Sequence, residues 1–230
     1  MKNTLISGLN ELGITLEDSQ IDTLCAFGEA VIKQNEVMNL TAITEPTAVA
    51  KLHLLDSLTV LCAADLSGKT LIDVGCGAGF PGVPVATGCP DARVTLLDSL
   101  GKRVKWLEEI LPTLGIAADC VTARAEEAAP KYRESFDFAT SRAVARLNIL
   151  LELTAPFVKV GGAVLAMKGS AAREELDEAK NAVKKLGLKV EKILDFSIDG
   201  ANHSVIVLRK IAPTPGQYPR RYAKIKQSPL

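Results

Sequence analysis

Apolar residues in the first quarter of the chain recur at helical spacing. Leu5, Leu9 and Leu12 lie three or four positions apart, and Leu55 and Leu58 continue a similar pattern later. Such spacing places apolar side chains on one face of an amphipathic helix. The loop-like stretch NLTAITEP interrupts the pattern. We therefore predict a helical segment over residues 1–66.

From Gly68 onward, short apolar runs alternate with helical stretches. Five runs are predicted to be strands: Thr70–Val74, Arg93–Leu97, Ala118–Thr122, Phe136–Thr140 and Ala163–Met167. Helices are predicted at Lys102–Leu114, Arg146–Val158 and Ala171–Leu186. Strands that are apolar on both faces are typical of a parallel sheet covered by helices.

Two more predicted strands, Lys189–Ile198 and Ser204–Ile211, are joined by the turn-forming stretch DGAN, which indicates an antiparallel hairpin. The predicted fold class is α/β: a doubly wound, mostly parallel sheet with an antiparallel C-terminal hairpin edge and an N-terminal helical extension. The expected units are the extension (1–66), the sheet domain (67–212) and a basic tail (213–230).

The composition, 47% hydrophobic and 23% charged, is that of an ordinary globular domain. The chain contains no uncharged stretch of eighteen or more apolar residues, so a membrane span is not expected. The first residues are too polar for a signal peptide. We expect a cytoplasmic monomer that does not contact membranes.

Cysteine and histidine usage gives no metal or disulfide pattern. The five cysteines contain no CxxC, the odd number argues against a disulfide framework, and there are only two histidines. We interpret the cysteines as small buried residues and expect no metal. His53 and Asp56 lie three positions apart on one helix face, where a helix-anchoring hydrogen bond is a better interpretation than a metal pair.

The net charge is zero, but the C-terminal end is basic. Residues 200–230 contain six Lys or Arg and no acidic residue. This tail is either a solvated, partly disordered segment or a contact for an anionic partner.

A glycine-rich turn, GCGAGFPG, follows the first predicted strand. Absent side chains at such a turn let a nucleotide-type ligand approach the backbone. Three features argue against a dinucleotide. Pro81 and Pro84 remove amide donors that a pyrophosphate would need, the helix that follows is short, and Asp73 places a negative charge beside the ligand.

S-adenosylmethionine, a cation without phosphate, fits this turn better. Gly75, Gly77 and Gly79 would allow close approach of its methionine part, and Asp73 would favour its positive charge. Asp98, at the end of the second strand, would bind the ribose hydroxyls. Ala125 and Glu126, after the third strand, would border the adenine.

Several motifs together resemble one known family. The segments DVGCGAGFPGVPVA, LLDSLGKRVKWL, RAEE, SRAVARL, LAMKG and YPRRYAKIKQSPL, with NLTAI and HLLDSL before them, are similar to the bacterial small-subunit ribosomal RNA methyltransferase G family. The resemblance covers nearly the whole chain. It implies a class I, Rossmann-like methyltransferase that uses S-adenosylmethionine to methylate N7 of one guanine in 16S rRNA of the 30S subunit.

The resemblance also implies cofactor contacts at Gly75, Phe80, Ala125, Glu126 and Arg142. Guanine N7 already carries a free lone pair, so we assign no general base, and catalysis would depend on proximity and alignment. Arg142 is our candidate for a catalytic residue that contacts both cofactor and guanine. Candidate RNA-binding residues are the cations expected near the carboxyl edge of the sheet or in the tail: Arg124, Arg146, Lys168, Arg220, Arg221, Lys224 and Lys226.

Other functions remain open at this point. The same fold could methylate another RNA or a small molecule, although the basic C-terminus and the lack of metal ligands disfavour a catechol-type substrate. A non-catalytic assembly factor that binds S-adenosylmethionine or RNA is an alternative from another class. A dehydrogenase ranks last.

Overall fold

The computed structural model describes residues 1–230 and contains seven strands. They are β1 Thr70–Val74, β2 Arg93–Asp98, β3 Asp119–Thr122, β4 Phe136–Arg142, β5 Val158–Lys168, β6 Leu188–Ile198 and β7 Ala201–Lys210. They form one sheet in the order β3-β2-β1-β4-β5-β7-β6.

Eleven α-helices surround this sheet. They are α1 Lys2–Leu12, α2 Asp18–Met38, α3 Pro46–Val49, α4 Asp56–Ala63, α5 Gly82–Gly88, α6 Gly101–Ile110, α7 Ala125–Ala128, α8 Leu147–Thr154, α9 Ala172–Glu178, α10 Lys180–Lys185 and α11 Tyr222–Gln227. A π-helical segment, Ala50–Leu55, joins α3 to α4, and 3₁₀ turns at Leu111–Leu114 and Ala155–Phe157 follow α6 and α8. No helix has the length and apolar content needed to span a bilayer.

Strands β1 to β5 are parallel, and β7 pairs antiparallel with both β5 and β6. The hairpin turn consists of Asp199 and Gly200, which have φ of 53° and 75°. Left-handed backbone at both turn residues matches the twist of a two-residue hairpin. The predicted mostly parallel sheet with an antiparallel hairpin edge is therefore confirmed.

Apolar clusters cover both faces of the sheet. One joins α1 and α2 to the sheet through fully buried Leu5, Leu24 and Phe27, which share a cluster with Leu71 and Leu96. The other contains α8 and α10 side chains. Burial on two faces explains why the strands are apolar runs rather than alternating ones.

Two predicted helices differ from the observed ones. The stretch Ala171–Leu186 forms two helices that meet at Ala179, and the helix predicted over Arg146–Val158 ends at Thr154. Pro156 follows that end, and its ring cannot continue an α-helix. Strand β5 consequently begins at Val158, five residues earlier than predicted.

The C-terminal tail is ordered. Its residues Tyr218 and Ile225 are buried, and Leu230 packs against the α8 side of the core. Arg133 donates hydrogen bonds to the carbonyl oxygens of Thr214, Pro215 and Tyr218. Of the two alternatives left open for the basic residues 200–230, a partly disordered segment is wrong, because Ala201–Lys210 form β7 and the contacts above fix the tail to the sheet domain.

Candidate active site

The turn after β1 carries three glycines with left-handed backbone. φ is +77° at Gly75, +57° at Gly77 and +97° at Gly79, a region that other residues rarely adopt. A Cβ on Gly75 would lie 2.5 Å from Cγ2 of Val144, whereas one on Gly77 would meet nothing closer than Arg103 Nη1 at 3.9 Å. Gly75 and Gly77 line an open cleft at the carboxyl edge of the sheet.

Gly79 faces the protein interior instead. A Cβ there would lie 2.6 Å from Cγ2 of Val83 and 3.1 Å from Cζ of Phe27, and Gly79 does not line the cleft. Its expected role in admitting the ligand is corrected: the missing side chain lets α5 pack closely against α2.

Asp73 lies beneath the turn and not in the cleft. Its side chain is fully buried, the Gly82 N–H donates to Oδ2 at 2.7 Å, and Oδ1 has no hydrogen-bond partner. Burial raises the pKa of this carboxyl to about 7. The expectation that Asp73 meets the cationic ligand directly is corrected, because its observed contact is with the backbone where α5 begins.

Asp98 lies at the end of β2 and lines the cleft. Its Oδ2 accepts from the Gly77 N–H at 2.9 Å, and its Oδ1 accepts from the Leu100 N–H at 2.8 Å. The carboxylate thus holds the glycine turn and the start of α6 together. It is also placed where a carboxylate would meet ribose hydroxyls in this class of sheet.

Three adjoining cavities form a trough along the carboxyl edge. The first, about 220 Å³, is lined by Ala125, Glu126 and Tyr222 and shares Gly75, Asp98, Ser99 and Val144 with the second. The second, about 480 Å³, contains the glycine turn and Phe80. The third, about 540 Å³, begins at Arg142, which it shares with the second, and ends near Lys168 and His203.

Arg142, at the end of β4, is fixed between the second and third cavities. Nη1 donates to Asp56 Oδ2 and to the Leu52 carbonyl oxygen, both at 2.8 Å, and Nη2 lies 3.0 Å from His53 Nδ1. Its guanidinium lies 5.3 Å from the centre of the Phe80 ring, within cation–π range. His53 in turn stacks on Phe80, with ring centroids 4.7 Å apart.

This network sets the charge of its members. Burial and the nearby Arg142 lower the pKa of His53 to about 4, so its ring is neutral at pH 7. Burial opposes ionisation of Asp56, but hydrogen bonds from His203 and Arg142 outweigh it and lower its pKa. The hydrogen bond to Asp56 raises the pKa of His203. The helix-anchoring hydrogen bond expected of His53 and Asp56 is made to Arg142 of β4, which both residues contact.

Two predicted RNA-binding cations on the third cavity are neutralised by α9. Lys168 lies 2.8 Å from Glu175, and Arg146 lies 3.1 Å from Glu174 and 2.7 Å from Glu178. Acidic residues in the first turn of α9 are favoured by the helix dipole. The paired cations therefore shape the cavity wall more than they add positive charge to it.

The cations of the tail also differ in their surroundings. Arg220 binds Glu152, a fully buried carboxylate of α8, through Nε at 2.8 Å and Nη2 at 2.6 Å. Its predicted role in contacting RNA is corrected, because its guanidinium is used within the fold. Four candidates remain exposed and form no ion pair: Arg124, Arg221, Lys224 and Lys226.

Sequence reasoning missed Tyr222 and His203. Tyr222 belongs to the tail yet lines the first cavity with Ala125, and His203 comes from the hairpin yet lines the third. Tyr222 lies in the motif YPRRYAKIKQSPL but was not singled out within it, and His203 lies in none of the motifs that carry the family resemblance. Only the packing of distant segments brings them to the trough.

The comparisons with known proteins agree with this geometry. A family model described as rRNA small subunit methyltransferase G matches residues 20–205. The chain belongs to this family. The resemblance inferred from the motifs is thereby confirmed.

Relatives in this family match along nearly their full length. The ribosomal RNA small subunit methyltransferase G of Acetivibrio thermocellus is 42% identical over 100% of this chain and 97% of its own. That of Leuconostoc citreum is 42% identical over 98% of this chain and 97% of its own.

Solved structures establish the fold. TYW2 of M. jannaschii, in complex with AdoMet, aligns with a TM-score of 0.56 at 15% identity, covering 68% of this chain and 75% of that one. The mitomycin 7-O-methyltransferase MmcR aligns with a TM-score of 0.58 at 18% identity, covering 80% of this chain and 60% of that one. The predicted class I, Rossmann-like methyltransferase fold is confirmed.

Proposed function

We propose that this protein transfers the methyl group of S-adenosylmethionine to N7 of one guanine in the 16S rRNA of the small ribosomal subunit. The observation that carries the proposal is the continuous trough, which joins a nucleoside-sized cavity to the glycine turn and then to a third cavity beyond Arg142. Membership in the methyltransferase G family supports the same activity. Its cytoplasmic, monomeric state stays a prediction.

The residues present fit S-adenosylmethionine. Gly77 leaves room for a ligand to approach the backbone, and Gly75 and the Asp98 carboxylate line both of the first two cavities. Ala125 and Glu126 line the first cavity, where an adenine would be held. Phe80 and Arg142 line the second cavity on the side of the third, where the methyl group would be presented.

When bound, this cofactor supplies a methyl group on a positively charged sulfur. Guanine N7 would form the new bond to the methyl carbon, the electron pair of the broken C–S bond would stay on sulfur, and the positive charge would pass to the purine. No proton has to be removed from N7. The protein therefore needs to align the two partners rather than to provide a nucleophile.

The titratable groups beside the glycine turn are consistent with a reaction that needs alignment and no nucleophile from the protein. Burial raises the pKa of the Cys76 thiol well above its usual range, so it does not supply a thiolate. His53 is neutral and hydrogen-bonded to Thr41 at 2.7 Å. Arg142 is held by three groups and can serve as a rigid wall between cofactor and base.

The exposed cations supply contacts for an RNA backbone. Arg124 follows β3, and Arg221, Lys224 and Lys226 lie on or beside α11, next to the first cavity. Unpaired cations of this kind bind phosphates in a salt-dependent manner. This placement favours an RNA substrate over a small molecule.

The test incubates the protein with tritiated S-adenosylmethionine and 30S subunits from a strain that lacks the gene. We expect label in one N7-methylguanine of 16S rRNA. Label in another RNA or in a small molecule would show that the substrate differs from the one proposed. Binding of the cofactor without transfer to any RNA form would identify an assembly factor instead. The Arg221→Ala variant should show weaker RNA binding with a smaller salt dependence and unchanged cofactor affinity.

A further inference from the structure

The third cavity carries a histidine that no motif assigns. His203, at the start of β7, lines this cavity but not the second one. Its side chain is 22% exposed. Nδ1 lies 2.9 Å from Asp56 Oδ1, while Nε2 has no hydrogen-bond partner within the protein. The cavity wall therefore offers a ring nitrogen to a ligand.

Asp56 fixes the ring through a buried chain of contacts. Its carboxylate is 6% exposed and uses one oxygen for His203 and the other for Arg142 at 2.8 Å. With Asp56 accepting at Nδ1, the proton of a neutral His203 lies on Nδ1, so Nε2 is a hydrogen-bond acceptor. The same Arg142 that separates the two cavities thus also anchors the group that orients His203.

We propose that Nε2 of His203 accepts a hydrogen bond from the Watson–Crick edge of the target guanine, and that Asp56 positions it for this contact. This inference rests on the proposed function. If N7 faces the second cavity, the N1–H and amino group of the purine lie on the far side, where an acceptor is needed. Glu175, another acidic residue on this wall, is already held by Lys168 and by the Leu147 N–H at 2.7 Å.

The charge change of the reaction explains why an acceptor is useful here. Methylation at N7 makes the purine positive, which strengthens donation from its N1–H. A hydrogen bond that becomes stronger as the reaction proceeds lowers the barrier selectively. A protonated His203 would do the opposite, since it has no lone pair at Nε2 and places a positive charge beside a base that is becoming positive.

Activity should therefore depend on the protonation of His203. The charged groups that face it are Asp56 on α4 and Arg142 on β4. Asp56 raises its pKa above the usual 6.5, and Arg142 opposes this. His53, on the π-helical segment, has a pKa of about 4 and stays neutral through this range. The rate of methyl transfer should rise as pH increases through the pKa of His203.

The experiment measures single-turnover methylation of unmethylated 30S subunits at saturating tritiated S-adenosylmethionine, from pH 5.5 to 9. The wild type should show the rise with pH. His203→Ala should be slowed by about 10- to 100-fold, as expected when one hydrogen bond to a charged group is lost. His203→Gln keeps an acceptor that does not titrate, so it should retain more activity and lose the pH-dependent rise. Asn202→Ala, at the exposed neighbouring position, is the matched control.

Each outcome decides the proposal. A His203→Ala rate within twofold of the wild type, or a His203→Gln variant that keeps the pH-dependent rise, would overturn it. A rise with pH that persists in His203→Gln would point to Asp73 as the titrating group, since its pKa is about 7. Cofactor affinity should be unchanged in both His203 variants, and a loss of cofactor affinity that accounts for the lower rate would also contradict the proposal. The wild type is assayed first. If it makes no N7-methylguanine, the proposed function itself is refuted, and the variants are not compared.

Discussion

Replacing Arg220 by Ala should destabilise the folded protein, although Arg220 lies in a basic tail that the sequence associates with RNA. Glu152 is fully buried on α8, and Arg220 gives it three hydrogen bonds: from the backbone N–H at 2.8 Å, from Nε at 2.8 Å and from Nη2 at 2.6 Å. The Arg220 side chain is 17% exposed. Removing the guanidinium leaves the buried carboxylate with only the backbone donor.

The expected magnitude follows from that loss. Removing one partner of a buried ion pair typically destabilises a protein by about 3–5 kcal/mol. The lower end, about 3 kcal/mol, applies here because the Arg220 N–H remains as a donor. For a chain of this size, a loss of about 3 kcal/mol lowers Tm by roughly 6–12 °C.

The assay is urea and thermal unfolding of Arg220→Ala beside Arg221→Ala. Arg221 is the adjacent, exposed arginine without an ion-pair partner, so its replacement should change the free energy of unfolding by less than about 0.5 kcal/mol. Adding Glu152→Gln to Arg220→Ala removes the uncompensated charge and should recover part of the lost stability. If Arg220→Ala unfolds like Arg221→Ala, the ion pair with Glu152 does not hold the tail.

Three further changes test two residues of the trough and the buried Asp73 beneath the glycine turn. Asp98→Ala should weaken S-adenosylmethionine binding by about 1–3 kcal/mol through lost ribose hydrogen bonds; unchanged affinity in calorimetric titration would reject the ribose contact. Tyr222→Ala should weaken cofactor binding by about 1 kcal/mol, because the first cavity loses an aromatic side chain from its wall. Lys224→Ala, on the same helix, is the control and should leave cofactor binding unchanged. Equal effects of the two variants would argue against a specific contact with Tyr222. Asp73 has a folded-state pKa of about 7, raised from 3.8, so the stability it contributes is present below about pH 4 and is lost as pH rises to 7. Urea unfolding without cofactor should therefore show Asp73→Asn gaining on the wild type from pH 4 to 7, and a constant difference would contradict the raised pKa.

The sequence by itself determined the layered fold and placed the glycine turn and Asp98 at one edge of the sheet. Apolar runs mark the strands because a sheet buried on both faces needs them, and the glycine turn after β1 has the positive φ values that its composition indicates. Asp98 could be located because strand ends in a parallel sheet meet at one edge. These signals are local, or repeat with a fixed period, so they can be found in a single chain.

Only the tertiary structure decided which charges are free. Arg220 and Glu152 are 68 positions apart, and His203 and Asp56 are 147 positions apart. Nothing in the local sequence distinguishes Arg220, held within the fold, from exposed Arg221 beside it. Gly79 and Asp73 likewise belong to the glycine motif, yet the packing of α2 and α5 turns them away from the cleft. Long-range pairing depends on which surfaces meet when the helices dock on the sheet, and a linear pattern does not record that.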